Sequence, residues 1–210
     1  MFILGLVIVM LVLIFLFWFL LSQSKKPTGL IGILMMRLWN GVYLPLVEWA
    51  INNVNLNDYS AILDIGVGNG ASSAYLLQRK NSLSITGIDL SEAAISQAYK
   101  KYPDNKINFE SMDVHHLTFT AETFDLVTAF QTHFHWSDLD QALREIYRVL
   151  KPNGVVIFAC ETAKINYFLP KLKNSADFQR YLSTFDFSLI NQQTTSQWTM
   201  YTCKKNKMTL

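Results

Sequence analysis

The sequence predicts a doubly wound α/β domain with a mostly parallel sheet, preceded by one hydrophobic helix. Three observations carry this. Apolar strand-like runs alternate with helix-periodic segments from residue 59 onward. Those runs are nearly continuous in apolar residues, as strands covered on both faces are. The first 21 residues contain no ionisable side chain, so they form a separate unit. With 210 residues and a formal net charge of +2, the chain has room for one main core and no basic stripe suited to nucleic acid.

At about 1.5 Å rise per residue, the segment Met1–Leu21 has the length to cross a hydrocarbon core of about 30 Å. It lacks the basic n-region and small-residue cleavage site of a signal peptide, and a helix apolar on every face has no polar side for water. A single-pass anchor is expected. Lys25, Lys26 and Arg37 follow the span and no basic side chain precedes it, so the positive-inside rule places the domain in the cytoplasm. Residues 22–58 form a juxtamembrane region whose glycines, Pro45, Arg37 and Glu48 predict amphipathic helices on the domain or the bilayer surface, as padding or as a lid. Ile31, Leu34, Met35, Leu38 and Trp39 are the side chains expected to dip into the interface.

The domain, 59–210, begins with the strand 61–66 and continues with a helix through Ser72 to Lys80. A strand over 84–90 and a helix capped by Ser91 follow. Next come strands at 107–113 and 124–130, then a helix around Asp140 to Leu150. Lys151-Pro152-Asn153-Gly154 should end that helix before the strand 155–161. Segments 188–195 and 199–205 stand too close for a crossover, so they should pair antiparallel at the end of the sheet. Cys160 and Cys203 fall in strands without a CxxC partner and read as reduced, packed thiols.

In a doubly wound sheet the ligand sits beyond the carboxyl ends of the strands, where the first strand-to-helix turn lies. That turn is Asp64-Ile65-Gly66-Val67-Gly68-Asn69-Gly70, and its glycines permit close backbone approach. Gly66, Gly68 and Ala71 also satisfy the relaxed dinucleotide fingerprint. Asp89 ends the second strand, nineteen residues beyond Gly70, where a carboxylate can accept bonds from ribose hydroxyls. Asp113 follows the third strand and is expected to accept from an exocyclic amine, with Met112 and Val114 against a ring.

Together ILDIGVGNG, ITGIDLSEAAISQA, Asp113, FDLVTAF and ALREIYRVLKPNGVVIF, covering roughly Ala61 to Glu161, resemble the class I S-adenosylmethionine-dependent methyltransferases. The similarity is greatest to the ubiquinone and menaquinone biosynthesis group. The resemblance implies that Asp64, Gly66, Gly68 and Gly70 cradle the methionine part, Asp89 the ribose and Asp113 the adenine, and Phe130 is also expected on the cofactor side. Val67 stands where many members have Cys or Ala, a change that leaves the loop geometry untouched. The resemblance further implies a Rossmann-like methyltransferase fold of seven strands, one antiparallel.

Methyl transfer needs alignment more than acid–base groups. A protonated acceptor adds the need for a base, and His133 and His135, after the fourth strand, are the candidates. Trp136 beside them is expected to line the pocket, and Glu161 is a further acceptor-side candidate. No metal is expected, since His115, His116, His133 and His135 show no ligand spacing. The expected partner is a small-molecule methyl acceptor, either lipid or quinone-like and reached from the membrane, or soluble with the anchor serving location only. The competing readings are an NAD-dependent oxidoreductase and a catalytically inactive, membrane-tethered nucleoside-binding module.

Overall fold

A computed structural model describes residues 2–25, 43–103 and 106–207. Seven strands form one sheet in the order β3-β2-β1-β4-β5-β7-β6. They are β1 (Ala61–Ile65), β2 (Ser84–Asp89), β3 (Ile107–Ser111), β4 (Phe124–Phe130), β5 (Leu150–Glu161), β6 (Phe187–Thr194) and β7 (Trp198–Lys205). The central strands pair in parallel, with Ile62 opposite both Ile85 and Leu126. β7 alone runs against its neighbours, pairing antiparallel with β5 and with β6. The expected α/β class, the antiparallel tail and the single reversed strand are all present.

Both sheet faces are covered because successive strand residues point to opposite sides. Leu63, Ile65, Val127 and Val156 face one core, with Leu143 and Ile146 of α5 (Leu139–Val149) and Leu182 of α7 (Ser175–Ser183). Ile62, Leu126 and Ile157 face the other, with Leu76 of α3 (Ala71–Arg79) and Ala98 of α4 (Glu92–Lys101). Leu46, Val47 and Ile51 of α2 (residues 43–52) join that second core. The second amphipathic region thus contributes padding from its C-terminal part, while Ile31, Leu34, Met35, Arg37, Leu38 and Trp39 lie outside the described residues.

The caps agree with the sequence. Ser91 Oγ accepts from Ala94 N–H at 3.3 Å, and Asp138 accepts from Gln141 N–H at 2.9 Å to start α5. One boundary differs. β5 begins at Leu150 rather than after Gly154, because Leu150 already pairs with Phe124 before the register slips to Leu126 opposite Val155. The Lys151–Gly154 turn is therefore a bulge inside the strand, with Asn153 at φ 63°. Between β5 and β6 lie α6 (Thr162–Phe168) and α7, two helices not among the elements expected from the sequence. They supply the crossover that lets β6 run parallel to β5. Cys160 and Cys203 are buried free thiols.

The N-terminal segment is one helix, α1 (Phe2–Lys25). Its side chains from Leu6 to Trp18 are exposed and apolar. Among the described residues, no helix is long and apolar enough to cross a membrane. The spanning helix expected over Met1–Leu21 is therefore not found among the described residues.

Candidate active site

A cavity of about 480 Å³ opens at the carboxyl ends of β1, β2 and β4, the position where doubly wound sheets bind ligands. The β1–α3 loop forms its floor, and its glycines serve different ends. A Cβ on Gly66 would lie 2.7 Å from the Thr132 side chain, and one on Gly70 would lie 2.7 Å from Phe109. Both positions are closed by packing. A Cβ on Gly68 would meet nothing within 4 Å, so Gly68 alone leaves open space over the loop. Its φ of +55° is the left-handed conformation that glycine adopts freely.

Asp64 lies beneath this floor and is absent from the cavity wall. It is 1% exposed and accepts from Ser72 Oγ at 2.6 Å, Ser73 Oγ at 2.8 Å and Thr128 Oγ1 at 2.7 Å. Burial pushes its carboxyl above the ordinary range, against the pull of the three hydroxyls. The direct cradling role expected of Asp64 is corrected here. Its carboxylate ties β1 to α3 and β4 and so holds the loop in place.

Asp89 does line the cavity. One oxygen accepts from Gly68 N–H and the other from Ser91 N–H, each at 2.9 Å. Each oxygen keeps a second lone pair, so ribose hydroxyls remain able to donate to it. Burial raises its carboxyl pKa, partly offset by these two amides. Asp113 also lines the cavity. Partial burial, which pushes its carboxyl up, is outweighed by bonds from the His115 amide and imidazole, so it sits below the ordinary range. His115 Nε2 accepts from Asp138 N–H at 3.2 Å, which leaves the proton on Nδ1 facing Asp113 Oδ1. This links the β3 loop to the start of α5.

After β4 the two candidate bases separate. His133 is 3% exposed and off the cavity wall, packed against Phe134, Trp136 and Phe158. Desolvation, with the His135 charge, pushes its pKa down to about 3. Its imidazole is a neutral core group near Cys160 Sγ, which corrects the expectation that it serves as a base. His135 lines the cavity, with Thr132 and Trp136. Trp136 Nε1 donates to Thr132 Oγ1 at 2.9 Å, so the space left by Gly66 admits the threonine that fixes the indole. Phe130 is on the same wall.

Tyr43, Leu44 and Val47 of α2 close the remaining side. The local sequence is compatible with α2 as padding or as lid and does not single out Tyr43, because nothing local places a residue so distant in sequence over the cleft. Glu161, at the end of β5, bonds Lys164 at 3.1 Å and is not on the wall, contrary to the acceptor-side position expected for it.

The sheet order and this cavity define a Rossmann-like α/β domain with a ligand site at the carboxyl ends of its strands. Residues 63–158 match the methyltransferase domain family. The chain is 28% identical over 109 residues to the uncharacterized methyltransferase YdaC of Bacillus subtilis, covering 52% of this chain and 60% of that one. It is 35% identical over 97 residues to the 27-O-demethylrifamycin SV methyltransferase of Amycolatopsis mediterranei, with coverages of 44% and 35%. The phthiotriol/phenolphthiotriol dimycocerosates methyltransferase of Mycobacterium leprae is 29% identical, with coverages of 57% and 44%. The chain thus spans about half the length of the curated relatives it matches. Relatives so differently named single out no subgroup, the quinone-biosynthesis methyltransferases included.

Among solved structures, a putative sarcosine dimethylglycine methyltransferase from Galdieria sulphuraria superposes with a TM-score of 0.65 at 13% identity, covering 78% of this chain and 86% of that one. The [4+2]-cyclase SpnF superposes at 0.59 and 18% identity, covering 70% and 74%. These likenesses concern the fold, and the cyclase demonstrates that the fold hosts more than one reaction.

Proposed function

We propose that this chain is an S-adenosylmethionine-dependent methyltransferase acting on a small-molecule acceptor with an apolar body. The observation that carries this is the open space above Gly68, bounded by the Asp89 carboxylate on the same cavity. It is a backbone cradle with a hydroxyl acceptor at its side. Asn69 adds a buried Oδ1 without a partner on that wall, an acceptor suited to a ligand ammonium or amide. A nucleoside with an amino-acid arm fits this donor and acceptor set.

When bound, S-adenosylmethionine supplies an electrophilic methyl carbon on a sulfonium. This chain's residues then bind and align. Asp89 accepts the ribose hydroxyls, Asp113 accepts the adenine amine, and Met112 and Val114 cover the ring. Gly66 and Gly70 keep the loop in register, and Phe130 and Trp136 exclude water from the transfer path. His135 accepts the proton of a hydroxyl acceptor.

The apolar character of the acceptor rests on Leu44, Val47, Phe130 and Trp136 along the far wall, and the lipid-like name of the phthiotriol relative points the same way. We also propose attachment to a membrane through the apolar residues 1–21, with the domain cytoplasmic. The support is the unbroken apolar sequence, the exposed α1 side chains and the lysines that follow. Deleting residues 1–24 should abolish flotation with vesicles and spare cofactor binding; a truncated chain that still floats would overturn the attachment.

Calorimetry on the full chain tests the main proposal. S-adenosylmethionine and S-adenosylhomocysteine should bind, and NAD should bind far more weakly. Comparable or tighter NAD binding would favour the oxidoreductase reading, whereas cofactor binding without turnover on any acceptor would favour the inactive module.

A further inference from the structure

Besides Thr132, His135 and Ser137, the acceptor half of the cavity has one further polar corner. There Tyr43 of α2 and Gln131, just past β4, both line the wall, although 88 positions separate them in sequence. What brings them together is Lys164 on α6. Its ammonium donates to Tyr43 Oη at 3.1 Å and to Gln131 Oε1 at 3.4 Å. It also pairs with Glu161 Oε2 at 3.1 Å and lies over the rings of Tyr43 and Phe134, at 4.6 Å and 5.3 Å from their centroids.

Gln131 is held in a costly conformation to reach this position. Its φ is +59°, which disfavours a residue with a side chain and persists where the surroundings over-determine it. The amide orientation is fixed too. Its oxygen accepts from Lys164 and from Glu161 N–H at 3.5 Å, so its Nε2 donors turn the other way, and Nε2 is buried without a partner. A strained residue with an unmatched donor is poorly explained as packing. It is well explained as a group awaiting a ligand oxygen.

We infer that Tyr43 and Gln131 form the specificity corner that receives a neutral oxygen of the acceptor, a hydroxyl, phenol or carbonyl, with Lys164 as the positioning residue that assembles it. This rests on the methyltransferase reading and names its substrate class. Neutrality follows from charge: the Lys164 ammonium is already balanced by Glu161, so the corner offers hydrogen bonds without a net positive charge to hold a carboxylate. The apolar body of the acceptor then lies along Leu44 and Val47, with its oxygen at the corner facing the methyl-donor half.

NMR titration of the full chain in nanodiscs tests this with three probes, correcting for partition into empty nanodiscs. The probes are 4-butylphenol, butylbenzene and 4-butylbenzoate, each with and without S-adenosylhomocysteine. The parent should bind the phenol at least about ten-fold more tightly than either other probe. Lys164→Met and Tyr43→Phe should each reduce that preference to within about three-fold, with S-adenosylhomocysteine affinity unchanged. Glu161→Gln combined with Lys164→Met keeps the corner neutral and should lose the preference equally. Equal binding of phenol and butylbenzene by the parent, no binding of any probe, or a preference surviving in Tyr43→Phe would overturn the inference. Tyr43→Phe removes one hydroxyl only and decides the matter if Lys164→Met does not fold. Failure of S-adenosylhomocysteine to bind would instead remove the methyltransferase reading, and the phenol preference is still read on the unliganded protein.

Discussion

On the cofactor side of the cavity the wall is largely backbone, drawn tight over a buried carboxylate. On the proposed acceptor side it is side chains from two distant parts of the chain. The Asp64 carboxylate gathers Ser72, Ser73 and Thr128, and the β1–α3 loop can adopt little else. Across the cavity, Tyr43, Gln131, His135 and Trp136 come from α2 and the segment after β4. On the methyltransferase reading, the donor would be bound through local sequence and the acceptor through tertiary assembly. The first half tolerates few substitutions, whereas the second can change its ligand by exchanging side chains.

The largest effect that would break this contrast lies in the loop glycines. Gly70→Leu drives a Cβ to 2.7 Å from Phe109 Cζ at a left-handed position, and should cost about 2–5 kcal/mol of stability from strain and overpacking combined. Gly68→Leu meets no neighbour within 4 Å and should cost only about 1–2 kcal/mol, yet abolish cofactor binding. Thermal denaturation and calorimetry separate the two. If both variants lose stability equally, the open space at Gly68 has no special role.

The histidines sharpen the contrast next. His133→Ala empties a core site and should destabilise by about 2–4 kcal/mol, whereas His135→Ala should lower turnover while leaving cofactor affinity and stability nearly unchanged. The buried His133 also dictates a pH dependence. Its pKa is lowered from 6.5 to about 3 in the folded chain, so the folded state binds fewer protons than the unfolded one in that window. The stability associated with neutral His133 is present above pH 6.5 and is lost as pH falls towards about 3. Denaturant titrations should show this loss in the parent, and its disappearance in His133→Leu.

A smaller effect belongs to Asp89. Replacing it with Ala removes the acceptor for Gly68 N–H, Ser91 N–H and the ribose hydroxyls, and should weaken S-adenosylhomocysteine by about 1–3 kcal/mol. Unchanged affinity in calorimetry would detach Asp89 from the cofactor. The least change is expected from Asp113→Asn, which keeps an acceptor oxygen for the adenine amine but loses the charge-assisted bond from His115, for roughly 0.5–1.5 kcal/mol in cofactor affinity.

The sequence by itself determined the alternating β/α order, the Ser91 cap, the glycine loop with Asp89 and Asp113 on the cleft, and the antiparallel tail. These are written in local spacing, in periods of 2 and 3.6 residues and in turn chemistry, so no distant contact is needed to read them. Only the tertiary structure decided the rest. Asp64 stands one residue before the end of β1 and Asp89 ends β2, and only the fold puts the first beneath the loop and the second on the cavity. His133 and His135 stand two positions apart, and a 3-10 turn over His133–His135 directs one ring into the core and the other to the wall. Tyr43 and Lys164 meet across 121 positions. No local pattern encodes such a meeting, because it exists only once α2 and α6 have packed on the two faces of the folded sheet.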